Sequence, residues 1–525
     1  MTIGKAINKL RSDANLSQEQ FATIFGVSQQ SVQKWENGDS VPELGKIIKI
    51  SKHFDVSLDA LILGNNNRMV EGFRNTCQIK PQYANIHDWE FYSSNLMIEY
   101  EQSTDEGLDL ELYKDVFNTV SRLPKGETKK KIGDVLFEVV TNATMRKEYP
   151  YTEPSDLEGI RVLRKPYKYA KKEGASLESR VHGAWMGRVC GCKLGANVEG
   201  VTVEELTSFL KETGNYPMHR YILSTDVNEE LSKRYSFPFA SRSFVDRVQC
   251  MPADDDTNYT VMYQEIVAKY GFDFTPFDVS RAWMDMIGKS AYCTAERVAF
   301  CNFVKGFEPP FSAMYKNPYR EWIGAQIRGD YFGYINPGDP EKAAEMAWRD
   351  ASVSHMKNGI YGEMLVAAML AVAAQTNNME DIVRGGLAQI PTTSRLYEKV
   401  TEVVDGFKNG VSKAACFENI AKAYNERNVH HWCHTISNAM IVVASLLYGG
   451  GDYGKSICMS VEVGFDTDCN GATVGSILGM ANGIESIPEY WTKPINDTLH
   501  TSIFGINTVK ISDRAKLTME HINGK

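Results

Sequence analysis

Hydrophobic positions in the first sixty residues recur at helical spacing in short bursts. Ile3, Ile7 and Leu10 share one face of a first helix. Ser17-Gln18-Glu19-Gln20 has the form of a capping box, with Phe21, Ile24 and Phe25 behind it. Gly26-Val27-Ser28 turns the chain into a third helix, from Gln29 to about Glu36, that buries Val32 and Trp35. Asn37-Gly38 tolerates the left-handed conformation that ends it. Leu44, Ile47 and Ile48 mark a fourth helix, and Leu58, Leu61 and Ile62 a fifth. After Gly64-Asn65-Asn66-Asn67 the periodicity is lost until about Trp89. It returns in Leu112, Val116 and Val120, then in Ile132, Leu136, Val139 and Val140. Tyr149 to Leu157 is a proline-rich turn into another helix, with Ser155 or Asp156 as its N-cap. The pattern predicts a small helical domain at 1–66, a linker at 67–100 and a large helical domain at 101–525.

Bulk properties narrow the class. A chain of 525 residues exceeds one compact core, and about two to four domains are expected. Hydrophobic residues at 43% and charged residues at 23% exclude a largely disordered chain. The net charge of −9 excludes non-specific coating of nucleic acid, so any DNA contact must come from a local surface. Of the 10 cysteines only Cys190 and Cys192 are close, and no CxxC pair exists, which reads as reduced thiols. Lys5 and Lys9 within the first helical pattern argue against a signal peptide. The longest apolar stretch, Ala439 to Leu447, is too short to span a bilayer. A cytoplasmic protein without a membrane partner is expected.

The stretch LSQEQFATIFGVSQQSVQKWENGDSVPE resembles the phage-repressor (Xre-type) helix-turn-helix family. The resemblance implies that Gln18 and Ser28 sit at helix N-termini near phosphates. It implies that Gln29, Gln30, Gln33 and Lys34 face the major groove, where glutamine can read adenine. Basic and acidic residues cancel within residues 1–64, so the electrostatic pull on DNA is modest. The alternative is a helical bundle used for protein contacts. The exposed glutamine cluster favours DNA, bound by a possible homodimer on a two-fold site.

Three later segments carry chemistry. In His182 to Gly200, glycines at 183, 187, 191 and 195 form a bare helical stripe that another helix can approach closely, and the segment ends in a loop bearing Glu199. In Pro252 to Tyr259, Asp254, Asp255 and Asp256 precede a helical run. One aspartate suffices to cap a helix; three adjacent ones repel unless a divalent cation sits among them. In Gly464 to Thr473, Asp466 and Asp468 open a helix of small residues that includes Gly475 and Gly479. Hard oxygen ligands of this kind suit Mg²⁺, Mn²⁺ or Ca²⁺ rather than zinc.

In this order the three segments, within roughly Tyr149 to Pro488, resemble the ADP-ribosylglycohydrolase family, which includes the dinitrogenase-reductase-activating glycohydrolases. The resemblance implies an all-α fold, a large orthogonal helical domain following the small five-helix one, with two Mg²⁺ or Mn²⁺ ions at the base of a cleft. Asp255 and Asp256 match the family's first aspartate pair, Asp466 and Asp468 its second, and Glu199 its mobile-loop glutamate. Three positions depart: Asp254 and Cys469 stand where the family has threonine, and Gly191-Cys192 where it has Gly-Asp. Gly324 to Gly333 occupies the place of the family's glycine-rich diphosphate loop. Arg328 matches there, while Gln326 and Asp330 depart. His355 and Asn358 fall in a segment like the family's histidine-containing one. His430 and His434 have a helical ligand spacing, but no HExxH is present, and His434 at the cleft rim is preferred to a zinc site.

The implied reaction is metal-dependent hydrolysis at the anomeric carbon of a ribose in an ADP-ribosylated protein or ADP-ribose-like ligand. Expected metal ligands are Asp254, Asp255, Asp256, Asp466 and Asp468. Glu199 is expected as ligand or acid/base, and Asp255, Asp256 and Asp468 as catalytic. Gln326, Arg328, His355, Asn358 and His434 are expected substrate contacts. Two alternatives stay open: a transcriptional regulator that senses a ribosyl nucleotide without turnover, and a hydrolase of a small nucleoside-like metabolite.

Overall fold

The computed structural model describes residues 2–62, 81–235 and 242–524; the turn Gly64 to Asn67 lies outside them. Contacts divide the chain into two compact units, Met1–Asn85 and Ile86–Lys525.

The small unit contains the five expected helices, Ile3–Asp13, Gln18–Phe25, Gln29–Asn37, Leu44–Phe54 and Leu58–Ile62. Its capping box is complete. Ser17 Oγ accepts from the Gln20 amide at 3.1 Å, and Gln20 Oε1 accepts from the Ser17 amide at 2.8 Å. Gly38 ends the third helix in the left-handed conformation. Ile7, Phe21, Phe25, Val32, Trp35 and Ile50 make the core. Ile24 and Leu44 are exposed, because these short helices present one face inward and Phe21, Phe25, Ile47 and Ile50 occupy it.

The large unit is helical among the described residues except for an antiparallel hairpin, Thr498–Ile503 with Ile506–Lys510. Its organising contact is the glycine stripe. Helix Leu177–Gly195 runs antiparallel to helix Thr467–Asn482 with backbones touching. A Cβ on Gly191 would stand 2.0 Å from the carbonyl oxygen of Gly471, and one on Gly475 would stand 2.2 Å from that of Gly187. Gly183 meets Gly479 in the same way, and Gly195 meets Thr467. The expected close approach is therefore present, with glycines on both helices. It brings the Glu199 loop to the start of the Asp468 helix.

Residues 86–145 form a helical layer with an apolar cluster that includes Tyr92, Leu96, Phe117 and Leu136. Helix Leu96–Asp105 begins inside the stretch expected as linker. The two 3₁₀ turns before it, Asp88–Glu90 and Tyr92–Ser94, are too short to leave a periodic signal. No helix among the described residues is long and apolar enough to cross a membrane.

Candidate active site

The segments flagged by their carboxylates converge. Asp254 caps helix Asp255–Tyr270, its side chain accepting from the Asp256 amide at 3.0 Å. Arg188 reaches over from the glycine-striped helix. It donates to the Asp256 carbonyl through Nε and Nη2 at 2.9 and 2.8 Å, and Nη2 also reaches Asp256 Oδ1 at 3.1 Å. Its other arm pairs with Asp330 at 2.8 Å. Asp466 and Asp468 open the partner helix. Phe465 there holds a left-handed φ of 59°, a strained conformation for a buried aromatic residue. Asn438 fixes the turn by accepting from the Asp466 amide at 3.2 Å and from Asn470 Nδ2 at 2.8 Å.

Two buried carboxylate oxygens, Asp256 Oδ2 and Asp468 Oδ1, have no hydrogen-bond partner. Ligand atoms of Asp256, Asp468 and Cys469 lie within 4.8 Å of one another, as do those of Cys192, Asp254 and Asp256. Burial, then mutual repulsion, drives the Asp255 and Asp468 carboxyls well above the usual range. Burial does the same to Asp256 despite Arg188. Glu199 is pushed up to about 7 by burial and then by Asp466 and Asp254, with Arg242 opposing. Orphaned, crowded, hard oxygens are what a divalent cation would satisfy. The donor set fits Mg²⁺ or Mn²⁺. The two cysteines at family-departing positions add a softer donor to each trio.

A cavity of about 350 Å³ opens onto this floor. Glu199, Asp255, Asp466, Asp468 and Cys469 line its base, and Glu296, Cys293 and Thr294 its flank. Its outer wall is apolar, with Trp89, Ile98, Trp322 and Trp432.

None of the five expected substrate contacts lines this cavity. Arg328 is wholly buried, donating to Asp350 and Glu296 at 2.6 Å each. It reaches the cavity only through Glu296. Gln326 is buried and its amide has no partner. His355 is buried against Ser354, 2.8 Å from its hydroxyl. Asn358 is spent on Glu321 and Glu153, at 2.8 Å each. His434 Nδ1 accepts from the Ile436 amide at 3.1 Å, which leaves the proton on Nε2, facing Glu321 at 3.6 Å. His430 Nδ1 accepts from the Trp322 indole at 3.1 Å, so its Nε2–H faces Asp105, also at 3.1 Å. Both imidazoles thus carry their proton on the nitrogen that a cation would need, which argues against zinc there.

Arg188, Glu296, Trp89 and Asn438 escaped the sequence reading as site residues. Arg188 had a signal, a charge inside a glycine-striped helix that must be paired when buried.

In the small unit, Ser28, Gln29, Gln30, Gln33 and Lys34 are exposed at the start and outer face of helix Gln29–Asn37. Ser28 Oγ also caps that helix by accepting from the Ser31 amide at 3.2 Å. Gln18 is committed to its neighbour, its Nε2 donating to Glu36 at 2.9 Å.

Residues 173–519 match the family model described as ADP-ribosylglycohydrolase. The chain belongs to the ADP-ribosylglycohydrolase family. The glycohydrolase match starts after the layer at 86–145, so that layer lies outside the matched region. Residues 7–61 match a helix-turn-helix model. The chain is 32% identical over 87 residues to the HTH-type transcriptional activator BcrR of Enterococcus faecalis. That similarity covers 17% of this chain and 43% of the relative, under half its length. A solved chain from an ADP-ribosylglycohydrolase-related protein complex is 19% identical, with a TM-score of 0.41, over 66% of this chain and 98% of its own.

Proposed function

We propose that the large unit hydrolyses a ribosyl glycosidic bond with divalent cations held by Asp254, Asp255, Asp256, Asp466 and Asp468, and that the helix-turn-helix unit carries this activity to DNA. The observation that supports it most is that Asp256 and Asp468, each with a buried, unpartnered oxygen, bring ligand atoms within 4.8 Å of each other beside a cavity that Asp468 lines. When bound, two Mg²⁺ or Mn²⁺ ions supply Lewis acidity toward ribose hydroxyls and water. The chain's own groups do the rest. Arg188 holds the Asp256 backbone and carboxylate in place. Glu199, on the cavity wall and protonatable near neutrality, moves the proton between water and leaving group. Carboxylates around the anomeric carbon favour the positive charge that develops there. The tryptophan wall keeps bulk water from the reacting bond. In the balance, the bond from C1′ to the leaving atom breaks, the leaving group takes the electron pair and a proton, and the remaining hydroxyl of water bonds C1′.

The test pairs calorimetric Mn²⁺ titration with assays on ADP-ribosyl-arginine, ADP-ribosyl-serine, O-acetyl-ADP-ribose and simple ribosides. Asp255→Ala and Asp468→Ala should lower turnover by about a hundredfold or more, since even outer partners of metal ligands cost roughly 10–100-fold. Unchanged Mn²⁺ affinity and turnover in both variants would remove the reading. The fused unit, with its exposed glutamine face, supports a second reading in which the cavity is a ligand sensor. Tight ligand binding without turnover, coupled to altered DNA affinity, would favour it.

A further inference from the structure

Every charged residue among the described cavity-lining ones is acidic: Asp88, Glu199, Asp255, Glu296, Asp466 and Asp468. No lysine, arginine or histidine is among them. Nearby cations are committed to other partners. Arg328 is locked behind Glu296 and Asp350. Arg297 lies over the Trp89 ring, 5.0 Å from its centroid, and donates to the Tyr292 and Ser290 carbonyls at 2.8 Å each. Lys125 is held at the rim by Asp88 at 2.8 Å. The two divalent cations would sit among six carboxyl groups, Glu199 and the five aspartates, with Arg188 paired to Asp256 and Asp330, Arg242 facing Glu199 at 3.6 Å and the buried Lys193 near Asp254. A diphosphate would therefore find no cationic side chain on the cavity lining to pair with.

The glycine-rich loop offers no substitute cradle. A Cβ on Gly324 would stand 2.1 Å from Glu296 Oε1, so a carboxylate occupies the space that its missing side chain leaves. Gly329 packs on the Glu363 backbone in the same manner. Residues 325–333 are buried. Against this stands the outer wall. Trp89 and Ile98, from the layer outside the family match, pack with Tyr319, Trp322 and Trp432. That is an aromatic wall of the kind that packs against an aromatic ring or receives a cation. A volume of about 350 Å³ is at the small end of ligand pockets, which span roughly 300–1,000 Å³.

Resting on the glycosidase reading above, we infer that the substrate is a phosphate-free riboside with a neutral or cationic aromatic base, stacked on the wall that Trp89 completes. Trp89 is a specificity-determining residue contributed by the layer outside the family match. Hydrolysis then breaks the C1′–N bond; the base departs with the electron pair and a proton, and free ribose carries the hydroxyl of water.

The experiment titrates the full-length, Mn²⁺-loaded protein with adenosine, adenosine 5′-monophosphate and ADP-ribose, read by calorimetry and tryptophan fluorescence. Adenosine should bind tighter than either phosphorylated probe by about tenfold or more. Trp89→Ala should weaken adenosine by about tenfold with Mn²⁺ affinity retained, and Trp89→Phe should restore most of it. ADP-ribose binding as tightly as adenosine overturns the inference. So does an adenosine affinity indifferent to Trp89→Ala, or no adenosine binding by a protein that takes up Mn²⁺, and each of these leaves the metal-dependent glycosidase standing. Failure to bind Mn²⁺ removes both.

Discussion

Two of the buried carboxylate clusters in the large unit are built on opposite principles. Around Glu321, every charge is answered. Arg395 Nη2 donates to both Glu321 oxygens at 2.8 and 2.9 Å, while Asn358 and Gln102 add further donors. Arg320 pairs with Glu106 and Glu99 at 2.6 and 2.8 Å, and Lys357 reaches Glu106 at 2.9 Å. Burial alone would raise the Glu321 carboxyl, yet Arg395 and His434 hold it well below its ordinary range. Around Asp468, burial raises the carboxyls and their neighbours raise them further; Arg188 opposes this at Asp256, and the buried Lys193 near Asp254 is itself lowered to about 8 by burial. Burial is common to both clusters, and what separates them is compensation. The paired cluster is a joint that ties helix Leu96–Asp105 to the core. The unpaired one is a site held ready for positive charge.

The comparison breaks first where pairing is removed. Arg395→Met strands Glu321 and Glu153 without their guanidinium, and should destabilise the large unit by about 3–5 kcal/mol in denaturant titrations. A loss below about 1 kcal/mol would mean the pairing is ornamental. The second test adds the missing charge. Mn²⁺ at about one hundred times its Kd should stabilise the wild type by about 2.7 kcal/mol. Asp468→Asn should abolish that gain while raising the stability of the chelated protein by on the order of 1 kcal/mol, because an uncompensated buried charge is gone. A chelated Asp468→Asn protein less stable than wild type would show that the cluster is held together without cations. The third test moves the two halves of the site apart. Gly191→Ala places a methyl against the Gly471 carbonyl and should cost about 1–3 kcal/mol. It should weaken Mn²⁺ binding while leaving the Glu321 cluster paired, which an intact affinity would contradict.

The features that converge on the floor were readable because each has a local signature. Glycines every four residues announce close helix packing, and adjacent aspartates announce repulsion that something must relieve. The capping box and left-handed Gly38 made the small unit equally plain. What stayed hidden depends on partners far along the chain. Arg328 looked like a substrate contact because it sits in a glycine-rich segment, but Glu296, Asp350 and Glu363 enclose it from other elements. Trp89 fell in an apparent linker because three-residue 3₁₀ turns carry no amphipathic period. Compensation itself is a tertiary property. Nothing adjacent to Glu321 in the sequence signals that Arg395 will meet it, and nothing adjacent to Asp468 signals that no such partner arrives.

The smallest effect is the most direct comparison of the two clusters, the pH dependence of the chelated protein. A carboxyl raised in the folded state holds its proton more tightly there than in the unfolded chain. Its stabilising contribution is full below the unfolded value and is lost as pH climbs through the folded one. Glu199, pushed up to about 7 by burial, Asp466 and Asp254, follows this rule. Glu321 and Glu106, held low by their cations against burial, follow the reverse rule, and their stability is lost only as pH falls below the ordinary carboxylate range. Buried His434 and His355, whose pKa values burial depresses, oppose the Glu199 trend between about pH 5 and 7. The quantity to follow is therefore the difference between variants. Measured in chelator from about pH 5 to about pH 7.5, Glu199→Gln should gain stability relative to wild type as pH rises, and Glu106→Gln, in the paired cluster and held by Arg320 and Lys357, should show no such slope. With Mn²⁺ present the Glu199→Gln slope should shrink, because a bound cation keeps the neighbouring carboxyls ionised at both ends of the window. A Glu199→Gln difference that stays level with pH in chelator would place Glu199 among the compensated carboxylates and erase the distinction between the two clusters at its most exposed member.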